Sequence, residues 1–552
     1  MKKCVFVLTA IAFLAIDCLE ISIIHINDFH DRFEEQSETS GICRNRCHGG
    51  FSRMYSKIQD LMKTRKNPLL LNAGDNFKGT LWYSIHKWNV TQRFMNLLPF
   101  TAYTLGNHEF DDGIAGVVPF IKTMKAPLVV SNLDDSQVPE LQNLYNKSIV
   151  VEVEGKRIGI VGVILSTTNQ ISNTENLKFL DEVESVNNEA LRLLHEEQVF
   201  TVIVISHCGY DKEMEIAKKA VKGIGLIVGA HSHTLLYTGT PPDGSKALGP
   251  YPTVIKREID DGKVLVVQAS SYTKYLGDLV VKYDDLGEVE SFEGNPIYLD
   301  HTIPEDETVN KKMQPYKDAV VAKGNQVLGE TKVFLDQSDC RYSECNIGNF
   351  ITDAMVYYYK DKSETGGSSS KLAIFNVGGI RTSIPIGNIT YNDMANCQPF
   401  ENTIDVSVIS GHFIKAFFEQ TAIPYYFKES SRNVNLLQNS GFKIVYNLNN
   451  PIGSRVKSIK VLCNDCPEPE YHDLDPSKDY KLITASFITK GGDGFKVISE
   501  NLRNVQVGPV DMDVYTHYLK NESPVTTRKE GRMVFEGRFQ KPILYRNINY
   551  FI

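Results

Sequence analysis

Five short segments in the first half of the chain carry side chains able to hold hard cations: Asn27-Asp28-Phe29-His30, Ala73-Gly74-Asp75-Asn76, Gly106-Asn107-His108-Glu109, Ser206-His207 and Ala230-His231-Ser232-His233. Each follows an apolar run. Carboxylate, imidazole and amide oxygen together suit zinc, manganese and similar divalent ions, and the lack of thiolate argues against a structural zinc site. One such histidine alone would more often be structural or solvated. Five ligand-bearing strand ends in one half of a chain point to a shared metal centre.

The elements that must position these groups are visible as β-branched apolar runs. Ile21 to Ile26, Leu69 to Leu71, Leu128 to Val130, Ile158 to Val163, Val202 to Ile205 and Leu226 to Val228 are expected as buried strands. Phe51 to Lys63 and Val186 to Glu197 carry helix-spaced apolar residues, so the first half is expected to be α/β, with its site where strands stop and loops begin. Ile303-Pro304-Glu305-Asp306 resembles a helix start, and the polar run that follows predicts a connector helix over 305–323. It divides a first domain, 20–304, from a second, 324–552. The second holds strand-like runs at Leu372 to Phe375, Ile404 to Ile409, Phe442 to Tyr446 and Tyr480 to Ala485, and a surface loop at Gly366 to Ser370. At 552 residues, two cores are the natural expectation.

With 42% hydrophobic and 23% charged residues the composition is that of a soluble globular enzyme. A formal net charge of -8 gives no counterion-release advantage on DNA, so nucleic acid is not expected as a partner. Met1-Lys2-Lys3 followed by the apolar run Cys4 to Ile16 has the layout of a secretory signal, placed at 1–18. In an exported chain, the close cysteine pairs Cys43 with Cys47, Cys340 with Cys345 and Cys463 with Cys466 read as local disulfides, leaving Cys208 and Cys397 without a local partner. Sequons at Asn89, Asn146, Asn388 and Asn521 agree with a glycosylating route. The end, Arg538 to Arg546 and beyond, has no small-residue site followed by a hydrophobic tail, so no lipid anchor is expected and the protein is read as extracellular, free and monomeric.

The order Asp-x-His, Gly-Asp, Gly-Asn-His-Glu, His and Ala-His-x-His resembles the calcineurin-like metallophosphoesterase superfamily. Asn72-Ala73-Gly74-Asp75-Asn76, Leu105-Gly106-Asn107-His108-Glu109-Phe110-Asp111 and Gly491-Gly492-Asp493-Gly494-Phe495 are similar to the 5′-nucleotidase/apyrase family, nearest its arthropod salivary apyrase branch. The resemblance implies a four-layer α/β/β/α metallophosphoesterase domain followed by an α/β nucleotide-binding domain. It implies that Asp28, His30, Asp75 and His233 hold one ion and Asp75, Asn107, His207 and His231 the other, with Asp75 as the bridge. His233 departs from family members that carry an amide there. Zinc is the foremost ion, with calcium, magnesium or manganese as alternatives, and such a pair sits about 3.5–4 Å apart. His108 and Asp111 resemble the family's catalytic dyad, while Glu109 is expected to support the ligands rather than to be one.

The resemblance also implies a nucleotide grip in the second half. Arg341 and Arg381 match residues that fork onto phosphate oxygens. Phe400 and Phe487 match the pair that stacks on the base, Asp493 a ribose acceptor and Asn376 a contact to the base edge; Arg32 is a further candidate. Asn376-Val377-Gly378-Gly379 stands where relatives often carry Asn-Gly-Gly-Gly. The expected reaction is apyrase chemistry, ATP and ADP to AMP and phosphate, with AMP hydrolysis to adenosine as the alternative and a non-catalytic nucleotide scavenger as a second.

Overall fold

Alternation along the strand Leu19–Ile26 decides the layering of the first half. Ile21 and Ile23 enter one core, whereas Ile24 and Ile26 enter another, as the two-residue period of a strand requires. Its parallel neighbour Pro68–Asn72 divides in the same way, Leu69 and Leu71 to one side and Leu70 to the other. Both faces are buried, which is why these strands read as unbroken apolar runs.

The structure, a computed structural model, describes residues 19–37, 42–43, 47–363, 370–422, 436–463, 466 and 469–537. The expected leader (1–18), most of the Gly366 to Ser370 loop and the segment from 538 onward lie outside the described residues.

Two six-stranded sheets face each other. The first runs in the order Val289–Gly294, Tyr275–Tyr283, Leu19–Ile26, Pro68–Asn72, Ala102–Tyr103, with Ile297–Tyr298 paired to Tyr275–Tyr283. The second runs Thr253–Lys256, Lys263–Val267, Ile224–Val228, Thr201–His207, Lys156–Ile164, Ser148–Val153. Ile21, Ile23, Leu69 and Leu71 join Ile160, Val202 and Leu226 in one core, each such residue contributing roughly 1.5–3 kcal/mol on full burial. Helices Phe51–Thr64 and Leu81–Met95 cover the first sheet through Phe51, Met54, Ile58 and Phe94. Helices Glu182–His195 and Tyr210–Lys218 cover the second through Val186, Leu193 and Ile216. The result is the four-layer α/β/β/α arrangement. The run Leu128 to Val130 departs from expectation: Leu128 and Val129 make only isolated bridges, because the adjacent strand Ala102–Tyr103 is two residues long and offers no further ladder.

The helix Glu307–Gly324 follows, capped by the Asp306 carboxylate, which accepts from the Val309 amide at 2.8 Å. Val309, Met313 and Val320 enter the core of the first half's outer helices, and Ala395 from the second half enters it too. The second half is mixed α/β. A five-stranded sheet, Leu437–Ser440, Ala373–Asn376, Asp479–Ala485, Ile404–Ser410, Arg503–Gln506, and a four-stranded one, Tyr471–Asp473, Val456–Leu462, Phe442–Asn447, Met533–Glu536, share a core with the helices Asn346–Ser363 and Gly411–Thr421. Cys43 and Cys47, Cys340 and Cys345, and Cys463 and Cys466 are disulfide-bonded, while Cys208 and Cys397 are buried thiols. Asn89, Asn146, Asn388 and Asn521 are all exposed. No helix among the described residues is long and apolar enough to cross a membrane.

Candidate active site

The ligand-bearing segments leave the C-terminal ends of parallel strands, so their loops converge at one end of the two sheets. They turn there with little room. Asp28, His30, Asp75, His231 and His233 have φ of 52°, 50°, 55°, 72° and 53°, a left-handed region that costs a non-glycine residue about 1 kcal/mol or more. Gly74 and Gly106 make the convergence sterically feasible. A Cβ on Gly74 would lie 2.5 Å from the Gly106 nitrogen, and one on Gly106 would collide with the Asp75 carboxylate.

Two groups of donors result, sharing one carboxylate. Asp28, His30, Asp75 and His233 each offer a ligand atom within 4.8 Å of the others, and so do Asp75, His207 and His231. His30 Nε2 lies 3.1 Å from His233 Nε2 and 3.7 Å from Asp75 Oδ2; His233 Nε2 is 3.3 Å from Asp28 Oδ1. On the other side His207 Nε2 is 3.1 Å from Asp75 Oδ2, and Asn107 Oδ1 faces His231 Nδ1 at 2.8 Å. Tautomers are fixed from behind. His30 Nδ1 donates to the carbonyls of Phe77 and Lys78, and His207 Nδ1 to that of Ala73, which turns both Nε2 atoms inward. His207 Nε2 is buried and faces the Asp75 carboxylate. Burial holds His30 well below its ordinary pKa and lowers His231 to about 4. At His207 burial also lowers the pKa, but the charges of Asp75 and Asp28 outweigh it and raise it to about 10. His30 and His231 are thus neutral, and His207 carries a proton that a bound cation would displace; with the carboxylates and an amide oxygen converging on common points, this donor set fits two divalent cations.

Buried acids that are not ligands hold the loops. Glu109 accepts from the amides of Gly106 (2.6 Å), Asp75 (3.0 Å), Asn76 (2.6 Å) and Phe77 (3.3 Å), which ties two ligand loops together. Glu213 accepts from the Ala230 amide at 3.0 Å and from Gln268 Nε2 at 2.6 Å, supporting the His231 turn. Asn27 Nδ2 donates to Asp28 Oδ2 at 2.8 Å.

At the rim, His108 Nδ1 donates to Asp111 Oδ2 at 2.6 Å, and Ser172 donates to the other Asp111 oxygen at 2.7 Å. Burial would lower the His108 pKa, but Asp111 and Asp75 raise it overall, which favours the imidazolium. The second half reaches into this centre. Arg381 Nη2 lies 3.5 Å from His30 Nε2, and its Nε donates to the Tyr272 hydroxyl at 3.0 Å. Arg32, wholly buried, lies over the Tyr272 ring at 4.5 Å and donates to Asn396 Oδ1 at 2.6 Å, while its Nε and Nη2 lack partners among the described residues. Phe400 stacks on His108, centroids 5.3 Å apart and 17° between planes. Asn376 Nδ2 donates to Asp493 Oδ2 at 2.9 Å, and burial raises Asp493 to about 6 against the nearby charges of Arg341 and Arg381. Phe487 is half-buried against Gly492. Tyr272, Asn396, Ser172 and Glu213 were not foreseen. Tyr272 sits 5.4 and 5.1 Å from the His30 and His233 rings, positioned by a left-handed turn at Ser270, Tyr272 and Thr273 that no pattern in the sequence announces.

Residues 21–235 match the calcineurin-like phosphoesterase family, and residues 327–500 match the 5′-nucleotidase C-terminal domain. Over 519 residues the chain is 44% identical to an apyrase of Tabanus yao, covering 93% of each. The chain belongs to the 5′-nucleotidase/apyrase family. A 5′-nucleotidase of Homo sapiens is 36% identical over 541 residues, 96% of this chain and 93% of that one. The crystal structure of a 5′-nucleotidase precursor from Thermus thermophilus matches with a TM-score of 0.86 at 34% identity, covering 94% of this chain and 100% of that one. This family member is therefore a phosphoric ester hydrolase of the family's two-domain fold, with a buried site for divalent metal ions formed by aspartate and histidine.

Proposed function

We propose that the protein is a secreted apyrase that removes the terminal phosphate from extracellular ATP and then ADP, ending at AMP. The observation that carries this reading is the meeting of three things at one point: two donor groups sharing Asp75, the His108–Asp111 pair, and Arg381 arriving from the second half. Asp28, His30, Asp75 and His233 would hold one cation and Asp75, Asn107, His207 and His231 the other. Two divalent ions there, zinc foremost, would supply Lewis acidity to the phosphoryl group and lower the pKa of water.

The chain's own residues account for the rest. His108, its Nδ1 proton held by Asp111, presents Nε2–H to a phosphoryl oxygen on which charge grows, a contact worth about 3 kcal/mol in the transition state. Arg341 and Arg381 fork onto phosphate oxygens. Phe400 and Phe487 stack on the base, which contributes roughly 1–3 kcal/mol, and Asp493 with Asn376 receives the nucleoside. Kinship with both apyrases and 5′-nucleotidases keeps AMP hydrolysis as the second reading. An extracellular setting is supported by the three disulfides and the exposed sequons. If the salivary branch is the right one, removal of ADP at a feeding site would blunt platelet activation. Phosphate release from ATP, ADP and AMP offered separately tests the proposal: release from ATP and ADP with AMP accumulating supports it, release from AMP alone replaces it with the 5′-nucleotidase, and release from none leaves the scavenger.

A further inference from the structure

A cluster of charge beside the dyad takes no part in the chemistry above. Lys78, three residues past Asp75, has a side chain 4% exposed, and its Nζ lies 3.4 Å from Asp112 Oδ1 and 3.8 Å from Glu401 Oε2. Lys87 Nζ approaches the same two carboxylates at 3.4 and 3.6 Å. Both ammonium groups lie over the Tyr83 ring, 5.2 and 5.5 Å from its centroid. Lys78, Lys87 and Asp112 belong to the first half of the chain and Glu401 to the second. The backbone departs from regular geometry to assemble them. Lys78, Lys87 and Glu401 have φ of 56°, 55° and 56°, and Lys87 interrupts the helix Leu81–Met95. Such outliers gather where a fold holds residues for a task.

The cluster's place is fixed by its neighbours in the chain. Asp112 follows Asp111 of the dyad, Glu401 follows Phe400, whose ring lies on His108, and the Lys78 carbonyl accepts from His30 Nδ1 at 3.1 Å. A phosphate chain running from the metal ligands past His108 towards Phe400 would leave the centre beside the segments that carry Asp112 and Glu401, the partners of the two lysines. Each ammonium carries three N–H donors and meets its two carboxylates as ion pairs of 3.4–3.8 Å, longer than the roughly 2.7–2.9 Å of a close charge-assisted hydrogen bond. Glu401 is the one that leaves if the halves separate.

We propose that Lys78 and Lys87 receive the phosphate next to the one being cleaved, and that Glu401 is the internal anion this phosphate displaces. The proposal rests on the apyrase reading, since a monophosphate cleaved at the metal site has no second phosphate to offer. It makes the lysine pair a determinant of preference for nucleoside di- and triphosphates, and Glu401 a competitor of the substrate that also draws the two halves together.

The test is calorimetric titration of the metal-loaded full chain with AMP and with the non-hydrolysable methylene analogue of ADP. Lys87→Gln and the Lys78→Gln/Lys87→Gln pair are expected to weaken the ADP analogue about tenfold or more, as loss of a charge-assisted contact does, with AMP the less affected ligand. Glu401→Gln is expected to tighten the ADP analogue, a gain that misfolding cannot produce. Equal losses for both ligands, no loss, or weaker binding of the analogue to Glu401→Gln would overturn the proposal. Phosphate release by the wild type judges the apyrase reading separately: an enzyme that cleaves AMP alone removes that reading, while the titrations still decide whether the lysines distinguish one phosphate from two.

Discussion

Glu109 touches no substrate in this account, yet the ligand geometry depends on it, and Glu109→Gln isolates that dependence. Its Oε1 accepts from the amides of Asn76 and Phe77 and from Asn76 Nδ2, and its Oε2 from the amides of Gly106 and Asp75. A glutamine keeps one acceptor oxygen. Whichever way its amide is turned, its NH2 faces two backbone N–H groups that lose their acceptor inside a fully buried site. Each orphaned donor costs about 1–3 kcal/mol, so the substitution should destabilise the protein by about 2–6 kcal/mol. At roughly 1.5–2 °C per kcal/mol for a unit the size of the first domain, melting should fall by at least about 3 °C. Either orientation frees the Asp75 loop, at the Asp75 amide itself or at the Asn76 amide beside it, and Asp75 serves both donor groups, so affinity for both cations should drop together. Differential scanning calorimetry of chelator-treated protein reads the first effect and a zinc titration the second. A variant melting within about 1 °C of wild type, with zinc affinity unchanged, would refute the reasoning.

Three other outcomes are expected. His108→Ala should lower kcat on ADP by about 10²–10³ while the purified protein retains its zinc, since the imidazole is assigned to the developing charge and not to the ligand set; metal analysis beside steady-state kinetics checks both. Tyr272→Phe removes the Arg381 hydrogen bond but keeps the ring against His30 and His233, so KM for ADP should rise by up to about tenfold with kcat little changed, the worth of one hydrogen bond of about 0.5–1.5 kcal/mol. Burial raises Asp511 to about 7, above its ordinary value of 3.8; the folded state binds that proton more tightly, so the group's contribution to stability is full at low pH and is lost as pH rises through 7. Asp511→Asn, followed by urea unfolding, should therefore gain on wild type between pH 5 and pH 8.

The sequence displayed the ligand loops because parallel strands buried on both faces leave apolar runs that end abruptly at Asp28, Asp75 and His207. Chemistry and fold share that signal. The same logic recovered the strands around Ile21, Leu69, Ile158, Val202 and Leu226 to within a few residues. What it did not disclose is what lies far apart along the chain. Tyr272 stands in a Ser-Ser-Tyr-Thr stretch with no periodicity, and its place against His30 and His233 comes from a turn of left-handed residues. Glu213 and Gln268 look like any surface acid and amide until sheet packing buries them behind the His231 turn. Phe400 was expected to stack on a base, and its ring lies on His108, a contact between the halves that composition and spacing cannot encode. The strand order of the two sheets was likewise illegible, since local patterns say which residues are buried but not against what.

The central claim is that one carboxylate, Asp75, serves two cations. Anomalous diffraction at the zinc edge, from crystals grown with zinc, tests it most directly. Two peaks about 3.5–4 Å apart are predicted, one among Asp28, His30, Asp75 and His233, the other among Asp75, Asn107, His207 and His231. A single peak, or two that do not share Asp75, would contradict the account.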